Sequence, residues 1–530
     1  MSAYLGSQAR AGREGDASYA LPHQPLDRSA AEPPGLPRLL AGIPARGALG
    51  LSEHLALHDE LPSFEGRGRA RRGAASGLID EIERAGLLGR GGAGFPTAAK
   101  LRAVAGASRS VLGGARPIVV VNGAEGEPAS AKDRTLLRSL PHLVIDGAGL
   151  AAAAVGAQEV LLGVCEPNGG CWPIRGRERS ECLPNRSEAS VSPLRSSPPA
   201  LDAVARALEE RRGSRRGGSL DGVRFQLHPV PHRYVAGHES ALVNHLSGGP
   251  ALPTFTPPRP FERGVRGRPT LVCNVETLCH LALIARHGAA WFRELGTPEQ
   301  PGSALVTLSG TVTHPGVYEI EHGSPLSALI DAGGGLTAQR RAVLLGGYSG
   351  TWIDSSRLRE VALSDRDLSP LGASLGAGVV FVLSDEACPV AELTRLTRWL
   401  ASQSTRQCGP CLFGLDAIAS AFEQLSGSAG DLGRPSAGNE RVVGRRGGRS
   451  ARAPRERDAI DRRLQSLAGL VRGRGACSHP DGVARLVSSA LEVFAQELSD
   501  HAHHGPCAAC ARPSELPRPR VPRPTTSVPA

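Results

Sequence analysis

Three short apolar runs constrain this chain more than any other feature: PIVVVN at 117–122, EVLLGV at 159–164 and VRFQLHPV at 223–230. Each reads as a strand. Between them lie LVIDGAGLAAAAVG (143–156) and LDAVARALEERR (201–212), which carry apolar residues at helical spacing. Strands alternating with helices predict an α/β layer with a mainly parallel sheet. Upstream, residues 76–86 and the segment opening at Pro96 read as further helices, with proline tolerated in the first turn. A chain of 530 residues is too long for one hydrophobic core, so several domains are expected.

From 303 the pattern changes to strand, turn at His314-Pro315-Gly316, strand and helix, the look of a small β-grasp module. From 388 it is helical. Two Gly/Ser/Arg-rich stretches, 166–200 and 426–458, interrupt the pattern and read as inserted loops. The expected division is an irregular segment 1–75 with a helix near 50–59, an α/β domain 76–300, a β-grasp domain 301–375, a helical domain 376–500 and a disordered tail 501–530.

No run of eighteen apolar residues is present and the N-terminus lacks an apolar signal region, so direct membrane insertion is not expected. The expected location is cytoplasmic, or peripheral to a membrane complex through a partner. The net charge of +10 is partly local, with seven arginines in 441–457. Such a run is most often a solvated loop, and aromatic residues at 4% argue against stacking platforms for nucleic acid. Of 61 basic residues only Lys100 and Lys132 are lysine, both near the same glycine-rich segments. That placement suggests a site that needs a compact ammonium.

Four segments carry candidate chemistry. Gly89-Arg90-Gly91-Gly92-Ala93-Gly94-Phe95-Pro96 precedes a helix, where glycines allow close backbone approach and the helix start attracts anions; Lys100 lies one turn in. Asn122-Gly123-Ala124-Glu125-Gly126-Glu127, followed by Lys132-Asp133-Arg134, comes straight after a buried strand, where open α/β sheets place ligands. The third segment is Tyr234-Val235-Ala236-Gly237-His238-Glu239. The fourth contains Cys273-Asn274-Val275-Glu276-Thr277. Among eleven cysteines, Cys408/Cys411 and Cys507/Cys510 form CxxC pairs. The second pair, with His501, His503 and His504 upstream, has zinc-ligand chemistry in a stretch that reads as disordered.

Together and in this order, these segments resemble the FMN- and NADH-binding flavoprotein subunit of the respiratory complex I family, over roughly residues 76–500. The resemblance implies a Rossmann-like FMN/NADH domain, a β-grasp domain and a C-terminal helical iron–sulfur domain. It implies FMN and NAD(H) as cofactors, held by Gly89, Arg90, Gly91, Gly92, Ala93, Gly94, Phe95, Lys100, Asn122, Glu125, Glu127, Gly237, His238, Glu239, Asn274, Glu276 and Thr277. Hydride would pass from NADH to flavin, then electrons to a cluster. The flavin carries that chemistry, so no general acid or base is required; Glu127 is the nearest candidate for a catalytic group.

The resemblance also implies a [4Fe–4S] site at Cys408, Cys411 and Cys477, with Thr405 where the family has its first cysteine. The thiolate set is thus incomplete, and Cys388, Cys507 and Cys510 are potential recruits. The implied partner is a ferredoxin or thioredoxin-like iron–sulfur subunit. Departures gather on the nicotinamide side. Ala124 and His238 replace family carboxylates. Ala103, Thr256 and Arg259 stand at other NADH-contacting positions, and Cys273 replaces an asparagine on the flavin side. These changes leave open an NADPH-using enzyme, a flavin–ferredoxin relay without NADH, or a non-catalytic assembly module.

Overall fold

In the computed structural model the apolar runs lie side by side in one parallel sheet. Its strands are β1 (Ile118–Gly123), β2 (Glu159–Cys165), β3 (Arg224–Val230) and β4 (Thr270–Asn274), in the order β3-β2-β1-β4 with every neighbouring pair parallel. Described are residues 35–45, 47–61, 69–110, 116–165, 199–213, 222–358, 361–427 and 454–517. β2 is buried throughout and β1 nearly so. Burial on both faces is why they read as continuous apolar runs and not as alternating ones. Helices Pro141–Val155 and Val275–Phe292 share a core with the sheet through Leu143, Ala148, Leu278 and Leu281.

The strand order positions the site. From β1 the sheet extends to β2 and β3 on one side and to β4 on the other. The winding reverses between β1 and β4, and such a switch point opens a crevice at the carboxyl ends of the strands. Asn122 and Asn274 stand there as register partners.

A second sheet holds β5 (Ser303–Gly310), β6 (Gly316–Glu321), β7 (Arg340–Leu345), β8 (Thr351–Asp354) and β9 (Val379–Ser384), in the order β6-β5-β9-β7-β8. β5 and β9 are parallel; the other pairs are antiparallel. Helix Leu326–Ala332 packs on one face through Leu329 and Ile330 against Val306, Val343 and Val380. This arrangement is consistent with the expected β-grasp. The opposite face, with Trp352 and Phe381, shares a core with helices Pro389–Ser402, Leu415–Ser426, Pro454–Val471, His479–Val493 and Ala495–His504.

Three expectations need correction. The helix expected at 76–86 begins earlier and spans Arg69–Ala85, because the Arg/Ala-rich run before it is made of good helix formers. Helix Pro454–Val471 starts inside the expected insertion 426–458. The segment expected to be a disordered tail is placed as far as residue 517: the helix Ala495–His504 continues through 501, and a turn follows at Ala508–Ala511. Its anchors are polar. Glu515 accepts from the Ser384 backbone N–H at 3.0 Å, Glu392 accepts from the Glu515 N–H at 3.0 Å, and Leu516 is buried. Residues 166–198 and 428–453 of the expected insertions, with most of the basic run, lie outside the described residues, as do 1–34 and 518–530.

Candidate functional site

At the carboxyl ends of β1 and β4 lies a cavity of about 350 Å³, within the range of small-molecule sites. Arg90, Gly91, Gly92, Asn122, Glu125, Glu127, Gly237, His238 and Asn274 line it. The second sheet supplies Gly346, Ser349 and Gly376, and the helical part supplies Cys477, His479 and Arg485. An adjoining cavity of about 260 Å³ is lined by Gly89, Ala93, Gly94 and Glu276, and shares Arg90, Gly92 and Lys132 with the first.

Glycine brings the loops together by leaving out a Cβ. One placed on Gly237 would sit 2.3 Å from the Ala124 carbonyl oxygen, and one on Gly126 2.6 Å from the Arg233 and Tyr234 oxygens. The loop after β1 and the turn Tyr234–Gly237 therefore pack backbone on backbone. The Asn122 amide locks them further by donating to the Gly237 carbonyl at 2.8 Å.

Beneath the cavity lies a buried ionic network. The Lys132 ammonium is 2.8 Å from Asp133 and 2.9 Å from Glu276. Burial alone would discharge it, but Asp133 and Glu276 overcome that and hold its pKa above the ordinary lysine value. Asn274 donates to Asp133 at 2.7 Å and caps helix Val275–Phe292 by accepting from the Glu276 N–H at 3.0 Å. Glu125 accepts from Ser130 at 2.7 Å and from the N–H groups of Asp133 and Arg134 at 3.1 and 3.2 Å, holding the start of helix Lys132–Ser139.

Glu127 is buried without a basic partner. It accepts from the N–H groups of Ala129 at 3.1 Å and Tyr348 at 2.8 Å. Burial outweighs those bonds and pushes its carboxyl up to about 7. Arg90 is buried as well. Its backbone N–H donates to Thr277 at 2.8 Å, yet its Nε has no partner among the described groups. The Nδ1 of His479 is likewise unpartnered. A buried guanidinium nitrogen without an acceptor is costly. The buried cation favours an anionic ligand in the cavity it lines, and the glycine cradle leaves such a ligand room, while the two asparagine amides are spent on holding the loops.

Cys411 is buried; Cys408 and Cys477 are half-buried. Thr405 Oγ1 lies 3.9 Å from the Cys411 sulfur, and Ser404 donates to the Cys411 carbonyl at 2.9 Å. Burial is the main cause that pushes the Cys477 thiol up, and Cys411 and Cys408 add to it. Cys477 also lines the cavity.

The comparisons with known proteins agree with this arrangement. The Nuo51 FMN-binding domain matches residues 82–168 and 187–283, and an SLBB domain matches 305–347. The second F-type subunit of NADH-quinone oxidoreductase in Rhizobium meliloti (strain 1021) is 30% identical over 438 residues, covering 81% of this chain and 90% of that protein. The chain belongs to the family of F-type subunits of NADH-quinone oxidoreductase. The F-type subunit of Mycobacterium bovis is 29% identical over 463 residues, covering 87% of this chain and 92% of its own. Among solved structures, the NAD+-reducing [NiFe]-hydrogenase in the H2-reduced state superposes with a TM-score of 0.63 at 27% identity, over 86% of this chain and 67% of that one.

As a member of the NADH-quinone oxidoreductase family, the chain places most of the motif residues around the two cavities, but not all. Phe95 is half exposed and lines neither. Lys100 is paired with Glu239 at 2.7 Å, and Thr277 receives the Arg90 N–H. Thr256 and Arg259 are exposed on the loop before helix Pro260–Arg263 and line neither cavity. Ala124 and His238, the departures from the family, do line the first. Sequence reasoning did not single out Ser349, Gly346, Gly376, His479 or Arg485. They come from distant parts of the chain, and only the glycines offered a signal. Cys388, Cys507 and Cys510 are not recruited to Cys408 and Cys411; they contact one another instead.

Proposed function

We propose that this member of the NADH-quinone oxidoreductase family is an FMN-dependent NAD(P)H oxidoreductase that takes hydride from nicotinamide and passes electrons to an iron–sulfur centre. The observation that carries this reading is the cavity itself. It joins the glycine- and asparagine-bearing loops of the parallel sheet to Cys477 of the helical part. FMN, when bound, supplies the step from hydride to single electrons. The chain's own residues hold and shield it. Arg90 supplies a buried positive charge in the lining, Asn122 and Asn274 fix the loops at the strand ends, and the Lys132 network keeps them rigid. Glu127 excludes charge from one wall while it carries its proton.

Cys408, Cys411 and Cys477 would hold the cluster. Three thiolates are soft ligands suited to iron–sulfur chemistry, whereas the Thr405 hydroxyl is hard. Leu412 and Phe413, 37% and 74% exposed, follow Cys411 directly. This apolar pair beside the cluster loop suits docking of a ferredoxin or thioredoxin-like iron–sulfur partner. No helix among the described residues is long and apolar enough to cross a membrane, so any membrane complex would be reached through such a partner.

The test is an absorption spectrum of anaerobically purified protein before and after NADH. Flavin bands near about 370 and 450 nm that bleach with NADH are the expected result. Ala124 and His238 stand where the resemblance implies carboxylates on the dinucleotide side. That favours one second reading, a flavin–ferredoxin relay. Bands unmoved by NADH but bleached by reduced ferredoxin would establish it. Failure of FMN to bind, even after reconstitution, would overturn both.

A further inference from the structure

A second cysteine group lies elsewhere, and none of its members lines either cavity. Cys388 precedes helix Pro389–Ser402, His501 sits in helix Ala495–His504, and Cys507 and Cys510 lie at the turn that follows. Their ligand atoms all lie within 4.8 Å of one another. The Cys388 sulfur is 3.4 Å from that of Cys510 and 3.5 Å from His501 Nε2. The Cys510 sulfur is 3.8 Å from that of Cys507 and 4.0 Å from the same imidazole nitrogen.

These separations can be compared with a tetrahedral ion. Zinc–sulfur bonds of about 2.3 Å put two thiolates about 3.8 Å apart, and a zinc–nitrogen bond of about 2.0 Å puts sulfur and nitrogen about 3.5 Å apart. The observed edges scatter around both values. Thiolates of a [4Fe–4S] cluster bind different irons and stand further apart than ligands of one ion. We propose that Cys388, His501, Cys507 and Cys510 bind a single zinc ion in a closed, structural Cys3His site.

The surroundings give such a site a purpose. Residues 505–517 return across the helical part with one buried large apolar side chain, Leu516. Segments with so little core need a staple. The ion would tie this return to the junction between β9 and the first helix of the bundle. There, the Ala391 N–H already donates to the Cys388 sulfur at 3.4 Å, a contact that favours the thiolate. Arg395 donates to the carbonyls of Cys510 at 3.3 Å and Arg512 at 2.9 Å, closing the turn from outside.

The experiment is elemental analysis of the full-length protein, with zinc removed by chelation and added back. One zinc per chain is expected. It should persist in Cys408→Ser/Cys477→Ser protein and be lost in Cys510→Ser and in His501→Ala. Should those variants fail to fold, cobalt added to chelated wild-type protein is expected to give the thiolate charge-transfer and visible bands of a tetrahedral site. Absence of any metal, a Cys388–Cys510 disulfide seen by mass, or iron and sulfide that disappear with Cys510→Ser would each overturn the proposal. None of these readouts depends on flavin, so they stand apart from the outcome with NADH.

Discussion

Glu127 shows how one buried residue can couple the site to pH. Two backbone N–H groups reach its oxygens, and Gly347 leaves room for it: a Cβ there would lie 2.6 Å from Oε2. No cation compensates for burial, so the carboxyl is raised from 4.5 to about 7. In the unfolded chain it ionises near the lower value. Between the two, the native state holds a proton that the unfolded state has released, so stability falls as pH rises through this window and levels off above about pH 7. Glu127→Gln removes the titration. It also loses one acceptor, since an amide has a single carbonyl oxygen for two N–H donors, which adds a constant cost. Melting temperatures from pH 5 to 8 should therefore fall more steeply for the wild type than for the variant. Parallel curves would show that Glu127 does not titrate there.

At the scale of elements, the site depends on two loops that touch through their backbones. Gly237→Ala would place a methyl 2.3 Å from the Ala124 oxygen, and backbone cannot move aside as a side chain can. Overpacking of this kind costs about 1–3 kcal/mol. The expected outcome is a lower melting temperature together with weaker FMN retention on gel filtration. A stable variant that holds FMN as the wild type does would mean the loops are not coupled. These elements were legible in the sequence for clear reasons. β1 and β2 are buried on both faces and so are apolar without a break, and Asn122 and Asn274 stand at the ends of their strands. The segment 505–517 was not legible. Its order rests on pairs such as Ser384 with Glu515 and Glu392 with Ser514, more than a hundred residues apart, and its Pro-rich composition mimics disorder. Phe95 shows what the motif does locally: the Gly89 N–H donates to the Phe95 carbonyl at 2.9 Å, and the ring is left half exposed outside both cavities.

In the whole molecule, the cavity is a meeting point of three units, and Cys477, His479 and Arg485 of the helical part form one wall of it. Cys477 enters from between helices Pro454–Val471 and His479–Val493, while Cys408 and Cys411, on the turn before Leu415–Ser426, line neither cavity. The parallel sheet supplies the opposite wall, and the β-grasp sheet supplies Ser349, to which Tyr234 donates at 2.6 Å. Electrons leaving a flavin here would have a short path to Cys477, and so to the cluster proposed at Cys408, Cys411 and Cys477. Its weak point is Thr405, 3.9 Å from the Cys411 sulfur and so already beside the ligands. Thr405→Cys would complete four thiolates at a nearly isosteric position. Iron and sulfide per chain should rise relative to wild type, with a stronger signal in the reduced protein by electron paramagnetic resonance, while zinc at the Cys388 group stays constant. Iron content unchanged by the substitution would mean either that three cysteines already suffice or that no cluster forms. The wild-type iron content, close to a full cluster or close to none, decides between these two.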